Sequence, residues 1–158
     1  MINKEFKLIV SSALKLLEGA SAAEHNLDQP LDIRLSDNIV LQIQNDPYDF
    51  VTLTCLIDVD CRDLSASALW DILQTNLLRA EYPPIVTSGL SDDKGIVIWA
   101  RDHLLQMNAV KLYDLIIRLH HHAKGVEAWL RKTQSEKQHE TKADIRFVKP
   151  RQVINKVL

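Results

Sequence analysis

The stretch SASALWDILQTNLLR, residues 65–79, decides how the rest of this 158-residue chain is arranged. At 3.6 residues per turn, Leu69, Leu73 and Leu77 stack along one side of a helix, and neighbouring apolar residues widen that side. A helix that covers one face of a small sheet needs less apolar surface than this. Two interpretations stay open: the helix packs on its own sheet and on a second molecule, or it lies buried between the sheet and the C-terminal helix.

The composition is that of one soluble globular domain. Hydrophobic residues make up 46% and charged residues 25% of the chain, the ordinary mixture for a domain with a single core. No apolar run approaches the roughly 20 residues that span a bilayer, and the N-terminus has no signal-peptide pattern. Two cysteines are too few for a disulfide scaffold. We therefore expect a cytoplasmic protein with no membrane insertion.

Charge is divided unevenly along the chain. Residues 131–158 carry eight basic against three acidic residues, a net charge of +5, whereas residues 1–130 carry eleven against eighteen, a net charge of −7. Because phosphate repels an acidic body, nucleic-acid binding is not expected. The charge predicts a domain over residues 1–130 and a basic C-terminal extension over residues 131–158, partly disordered.

Hydrophobic periodicity predicts an α+β domain in the order α-βββ-α-ββ-α. Helices are expected over 2–19, 65–79 and from 105 to about 130, and strands over 31–35, 39–44, 50–58, 85–88 and 96–100. The first three strands form a meander with one face buried and one wet. Apolar residues point to both faces of the last strand, a second indication of a partner. We expect an antiparallel twisted sheet of about five strands flanked by three helices, in a homodimer.

The chain shows no familiar catalytic or metal-binding pattern. The acidic loop at 58–63 lacks the spacing of an EF-hand. The three adjacent histidines at 120–122 point about 100° apart on a helix, so they do not chelate one ion; His120 extends the apolar edge, and the other two are expected to be solvated. Cys55 reads as a small core residue. We expect no cofactor, no metal and no enzymatic activity, although a site built from scattered residues stays open.

The segment LWDILQTN, residues 69–76, resembles the "LL..N"-type middle-helix segment of the class I type III secretion chaperones, the CesT-like or Tir-chaperone family. The strand and acidic loop before it, LTCLIDVD at 53–60, fit the same order of elements. The apolar strand pair after it, PPIVTSGL at 83–90 and GIVIWAR at 95–101, fits as well. The resemblance covers roughly residues 2–130.

This resemblance implies a small bacterial cytoplasmic homodimer that binds the N-proximal segment of one or more secreted effectors and keeps it extended for secretion. A secretion ATPase or another machinery component is a further candidate partner. The dimer contact is assigned to Leu69, Trp70, Leu73, Leu77, Val97 and Trp99. The effector contact is assigned to Phe6, Val10, Leu31, Ile33, Leu41 and Leu53. For each of these residues, plain core packing is the alternative.

Two other function classes stay open. A small α+β ligand-binding domain, or an enzyme of an unrecognised family, has a concave pocket with several titratable groups. A chaperone-like adaptor binds a component of the secretion machinery in place of an effector, with the basic extension as its docking segment. A flat apolar surface and a tight dimer favour the chaperone.

Overall fold

The computed structural model describes residues 3–18, 29–36, 39–59, 64–77, 81–90 and 95–146. Within these ranges the elements follow the predicted order: α1 (Lys4–Glu18), β1 (Leu31–Ser36), β2 (Ile39–Gln44), β3 (Phe50–Ile57), α2 (Ala66–Gln74), β4 (Val86–Gly89), β5 (Ile96–His103) and α3 (Ala109–Arg146). The predicted α+β class, with three helices and a five-stranded antiparallel sheet, is confirmed.

The strands lie in the order β1-β2-β3-β5-β4, and each neighbouring pair is antiparallel. β1, β2 and β3 form the predicted meander. β5 pairs with the whole of β3, from Phe50 opposite His103 to Ile57 opposite Ile96. β4, although it precedes β5 in the chain, is therefore placed at the far edge. In the described part of the chain, β1 and β4 are the two edge strands.

The helices cover one face of the sheet and leave the other open. Along β2 the buried Ile39, Leu41 and Ile43 alternate with more accessible residues, as the one-face-buried prediction required. α3 packs on β2, β3 and β5, and α1 packs on α3. The uncovered side, called the open face below, carries Val40, Leu56, Val97 and Trp99. The core lies between the sheet and the helices.

α2 begins and ends through side-chain hydrogen bonds. Ser65 caps its N-terminus, with Oγ accepting a bond from the backbone N–H of Ala68 at 3.2 Å. At the other end, Thr75 Oγ1 donates to the carbonyl of Ile72 at 2.7 Å. The helix therefore ends at Gln74, earlier than the periodicity indicated. Residues 78–79 of the predicted helix lie outside the described residues.

Both ends of α3 differ from the prediction. The residues at 104–106 form a 3-10 turn, Leu105 is 86% exposed, and Asn108 Oδ1 accepts the backbone N–H of Lys111 at 2.9 Å, so the helix starts at Ala109. The expectation that this helix begins at residue 105 is wrong. The helix continues past 130 to Arg146. The rest of the basic extension, 147–158, lies outside the described residues.

Candidate partner-binding surfaces

α2 and the turn that follows it carry four large apolar side chains that point away from the core. Ala68 and Ile72, one turn apart, are buried against the rest of the protein. The exposed fractions on the other side are 45% for Leu69, 62% for Trp70, 58% for Leu73 and 70% for Leu77. We call these four residues the α2 outer face. Soluble monomers seldom expose so many large apolar side chains together. The helix is thus packed on one side and open on the other.

Val97 and Trp99 do not lie beside the α2 outer face. They alternate with the buried Ile98 along β5 and are partly exposed on the open face. α2 lies on the covered side of the sheet, where Thr75 contacts Thr87, the β4 residue paired with Ile98. The six predicted dimer residues are therefore divided between two surfaces, with the short strand β4 between them.

The structure gives most of the predicted effector-contact residues another role. Five of the six are buried core side chains: Phe6, Val10, Leu31, Leu41 and Leu53. Ile33, on the edge strand β1, is partly exposed. A closely packed core has no surface to offer a second chain, and opening it costs several kcal/mol. We correct these five residues to the core and keep Ile33 as a candidate contact.

The side chain of Asn76 closes the β4 edge of the sheet. Its Nδ2 donates to the carbonyl of Thr87 at 2.8 Å, and its Oδ1 accepts the Thr87 N–H at 2.6 Å. Backbone groups of alternate residues in an edge strand point outward, where an added strand would bind them. At the middle of β4 an amide side chain already occupies both groups.

The opposite edge, β1, has no such cover among the described residues. It pairs with β2 in regular register from Leu31 to Arg34, and a bulge follows before Ser36. On its outward side no other described strand is hydrogen-bonded to it. The regular half of β1 is the longer accessible edge for a strand-like partner.

A groove of about 570 Å³ separates α2 from α3. Its apolar floor includes Ile72, Val126 and Trp129. Its charged groups largely bind each other or the backbone: Arg118 pairs with Glu81 at 3.2 Å and also donates to the carbonyls at 82 and 83. These bonds fasten the segment after α2 to α3. Asp71, His121 and His122 line the same groove.

Three groups that the sequence marked for possible chemistry have structural surroundings. His122 Nε2 lies 3.2 Å from Thr87 Oγ1, so the expectation that His122 is solvated is wrong, whereas His121 is exposed as expected. Cys55 is fully buried, and burial raises the pKa of its thiol to about 12, which leaves it protonated and unreactive.

His120 is partly buried, and its Nε2 has no hydrogen-bond partner among the described residues. Burial lowers the pKa of this imidazole, and the charges of Lys124 and His121 lower it further. Within the described ranges, no three His, Cys, Asp or Glu side chains come together as metal ligands. Asp60 and Asp63 of the acidic loop lie outside those ranges. No helix among the described residues has the length and apolar character needed to cross a membrane.

Comparison with solved structures finds proteins of similar architecture. No family model and no curated protein matches the sequence. The structure of the Yersinia pestis type III secretion chaperone SycH in complex with a fragment of YscM2 has a chain that matches with a TM-score of 0.60 and 15% identity, over 78% of this chain and 99% of that one. A chain of the ExoT–SpcS complex from Pseudomonas aeruginosa matches with a TM-score of 0.60 and 10% identity, over 78% and 98%. The chain has the fold of a type III secretion chaperone.

The structure gives a role to a residue that the sequence motif contained but did not explain. Asn76 is the last residue of the LWDILQTN segment, and in the structure it is the residue that closes β4. Hydrophobic periodicity identifies the apolar faces of a helix. It gives no information about a polar residue that follows the last turn. The motif therefore contained Asn76, but only the folded chain shows that Thr87 is its partner.

Proposed function

We propose that this protein is a type III secretion chaperone of the class I, CesT-like kind. It binds the N-proximal segment of one or more secreted effectors in the bacterial cytoplasm and keeps that segment extended. The observation that carries the proposal is the shared fold: chains from two complexes, SycH with a YscM2 fragment and ExoT with SpcS, match it over nearly their whole length. Because the sequence identity is low, the surfaces of this chain supply the rest of the argument.

We propose further that the α2 outer face is the centre of a homodimer contact. Leu73 and Trp70 are more than half exposed, and large aromatic and aliphatic side chains of this kind form the centres of protein interfaces. In a two-fold dimer the same patch serves both partners, so an apolar face that packs against its own copy is self-complementary. Val97 and Trp99 join this contact only where the second protomer reaches around β4.

The effector segment is proposed to add to the β1 edge as an extended strand. Main-chain hydrogen bonds to β1 would supply affinity without requiring one sequence, which suits a chaperone with several clients. The partly exposed Ile33 and Leu35 lie on this strand and offer apolar contacts. Ordering a disordered segment costs entropy, so useful affinity requires a long bound stretch. No step of this function uses a cofactor or a covalent reaction.

The test is to purify the tagged full-length protein from its source cell and digest the complex with a protease. We expect one or more proteins to be protected over an N-proximal segment while the remainder is cut. Hydrogen exchange on the complex then locates the contact: backbone amides of β1 slow on binding, whereas the amide of Thr87 is protected with or without the client. A monomer that purifies without any partner would contradict the proposal and favour the small-ligand alternative.

A further inference from the structure

Arg101 lies on the open face and has no acidic partner among the described residues. Its Nε donates to Thr52 Oγ1 at 3.1 Å. Thr52 is itself buried and held in place, because its hydroxyl donates to the carbonyl of Asp46 at 2.7 Å. Within the described part of the chain, no carboxylate pairs with the Arg101 guanidinium, whose outer amino groups remain accessible. An arginine anchored at Nε presents the remaining N–H groups in a planar fork that suits a carboxylate.

Aromatic rings surround this cation and restrict its position. The guanidinium carbon lies 5.8 Å from the ring centroids of both Phe50 and Trp99. The ring of His103 packs on Phe50, with centroids 4.0 Å apart. These are cation–π distances, and they hold the side chain over the sheet. Less conformational entropy is then lost when an anion binds to Arg101.

The open face is more basic than the acidic body around it. Register places Arg34 beside Val40 on this face, so it carries two arginines. Asp32, an acidic residue of this face on β1, accepts a hydrogen bond from Gln42 at 2.9 Å. The body as a whole, residues 1–130, has a net charge of −7. A positively charged patch on an otherwise acidic protein favours a negatively charged ligand.

We propose that the open face binds an acidic, apolar stretch of the client, with an Asp or Glu carboxylate on Arg101. Apolar client side chains then lie on Trp99, Val97 and Leu56, which border the arginine on β5 and β3. This inference rests on the proposed chaperone function and adds a selection rule: clients carry an acidic residue within an apolar extended stretch. Arg101 is the residue that determines this specificity.

Charge argues against the other occupants. The basic extension of the same chain, net +5 over residues 131–158, is repelled by Arg101 and Arg34. A second copy of the protein has its largest exposed apolar surface on the α2 outer face, which is on the covered side of the sheet. An acidic segment from another protein fits both the charge and the apolar character of the open face.

Two matched peptides test the proposal on the full-length protein. In one labelled peptide, valine and leucine alternate with glutamate; in its twin, glutamine replaces every glutamate. Fluorescence polarisation should show the glutamate peptide binding about fivefold more tightly at low salt, with the difference falling as salt increases. In Arg101→Gln the preference disappears. Lys124→Gln, which removes the same charge from an exposed position on α3, keeps it.

The proposal is overturned if the wild-type protein fails to bind the glutamate peptide or binds the twins equally, or if Arg101→Gln weakens both by the same factor. Displacement of the labelled peptide by a synthetic peptide of residues 147–158 would instead assign the face to the protein's own extension. A change in solution mass in Arg101→Gln would assign it to the second copy. Each outcome is distinct from failure of the chaperone function, because protection of a co-purified client does not depend on the peptide preference.

Discussion

Asn76 binds the backbone of Thr87 as a neighbouring strand would. The amide donates to the Thr87 carbonyl at 2.8 Å and accepts the Thr87 N–H at 2.6 Å. One side chain thereby connects the end of α2 to an edge strand of the sheet. It also occupies the backbone groups of Thr87 that an added strand would bind. Within the described ranges the two edges of the sheet become different, since the outward backbone groups of Thr87 on β4 are occupied and no strand is bonded to the outer side of β1. For the proposed binding of an extended client, one accessible edge is an advantage, because a second accessible edge invites unwanted pairing.

Replacing Asn76 by alanine should destabilise the protein and open β4. Two hydrogen bonds to a buried residue are lost, at about 1 kcal/mol each, so we expect a decrease in the free energy of unfolding of about 2 kcal/mol. Urea denaturation followed by circular dichroism measures this quantity. Hydrogen exchange at Thr87 should accelerate in the same variant, because its N–H loses its acceptor.

Gln74→Ala is the matched control for this variant. Gln74, two residues away at the last position of α2, also carries a side-chain amide, but it is exposed and makes no hydrogen bond to the described residues of β4. Its replacement should change stability by less than about 0.5 kcal/mol. Equal destabilisation by the two variants would show that the Asn76 bonds contribute nothing beyond the general effect of changing this helix end.

Local periodicity predicted the elements of the fold well, for a physical reason. Strand β2 has the bounds that the pattern indicated. In a sheet covered on one face, every second residue is buried, and Ile39, Leu41 and Ile43 show this alternation in the sequence. The same reasoning missed the start of α3: Leu105 fits a helical stripe by spacing, but the chain forms a 3-10 turn there, and Asn108 caps the helix. The spacing of apolar residues does not reveal which nearby polar residue will cap the helix.

The binding surfaces were harder to predict because they depend on the order of the strands. Trp99 and Trp70 were assigned to one contact, but β5 inserts between β3 and β4, and the two side chains lie on opposite sides of the sheet. Val10 and Leu41 were assigned to the effector, but α3 completes a core above them. Whether an apolar residue is core or surface is decided by distant elements, which single-sequence periodicity does not place.

Trp70→Glu should dissociate the proposed homodimer. The side chain is 62% exposed on the α2 outer face, so its replacement leaves the core of the protomer intact. At an interface centre, a charge opposite its symmetry mate costs 2 kcal/mol or more, roughly a thirtyfold weaker dimer. Sedimentation equilibrium measures the mass as a function of concentration.

The matched control for the dimer is Leu8→Glu. Leu8 is 69% exposed on α1, so the change introduces the same charge in place of an exposed apolar side chain away from α2. Its mass should equal that of the wild-type protein. A Trp70→Glu protein that keeps the wild-type mass at every concentration would remove the α2 outer face from the dimer contact.

His120 should make the protein less stable in mild acid. Burial, Lys124 and His121 lower the pKa of this imidazole below its usual 6.5, so the unfolded chain takes up a proton at a higher pH than the folded one. The stabilisation is complete above pH 6.5 and is lost as pH falls through that value towards the lowered pKa. The His120→Leu variant should therefore lose less of its melting temperature between pH 8 and pH 5 than the wild-type protein.

The comparison at pH 8 serves as the internal control, since both proteins are uncharged at this position there. Any packing effect of leucine appears equally at the two pH values and cancels in the difference. If the two proteins show the same decrease in melting temperature on acidification, the Nε2 of His120 finds a partner on protonation that the structure does not show, and its burial has no consequence for acid stability.

Cys55 should resist alkylation until the protein unfolds. Its side chain is fully buried on the covered face of β3, and burial raises the pKa of the thiol from 9.0 to about 12. At pH 8 the thiolate fraction is thus about a thousandfold lower than in an exposed cysteine.

In a Cys61→Ser background, which leaves Cys55 as the sole thiol of the chain, iodoacetamide labelling should be slow in buffer and accelerate with urea in parallel with unfolding. Because the raised pKa favours the protonated folded state, stability should be complete below pH 9.0 and decline as pH rises towards 12. Labelling in buffer at the rate of free cysteine would mean that the β3 region opens without global unfolding, and that the core beneath α3 is less closed than its packing indicates.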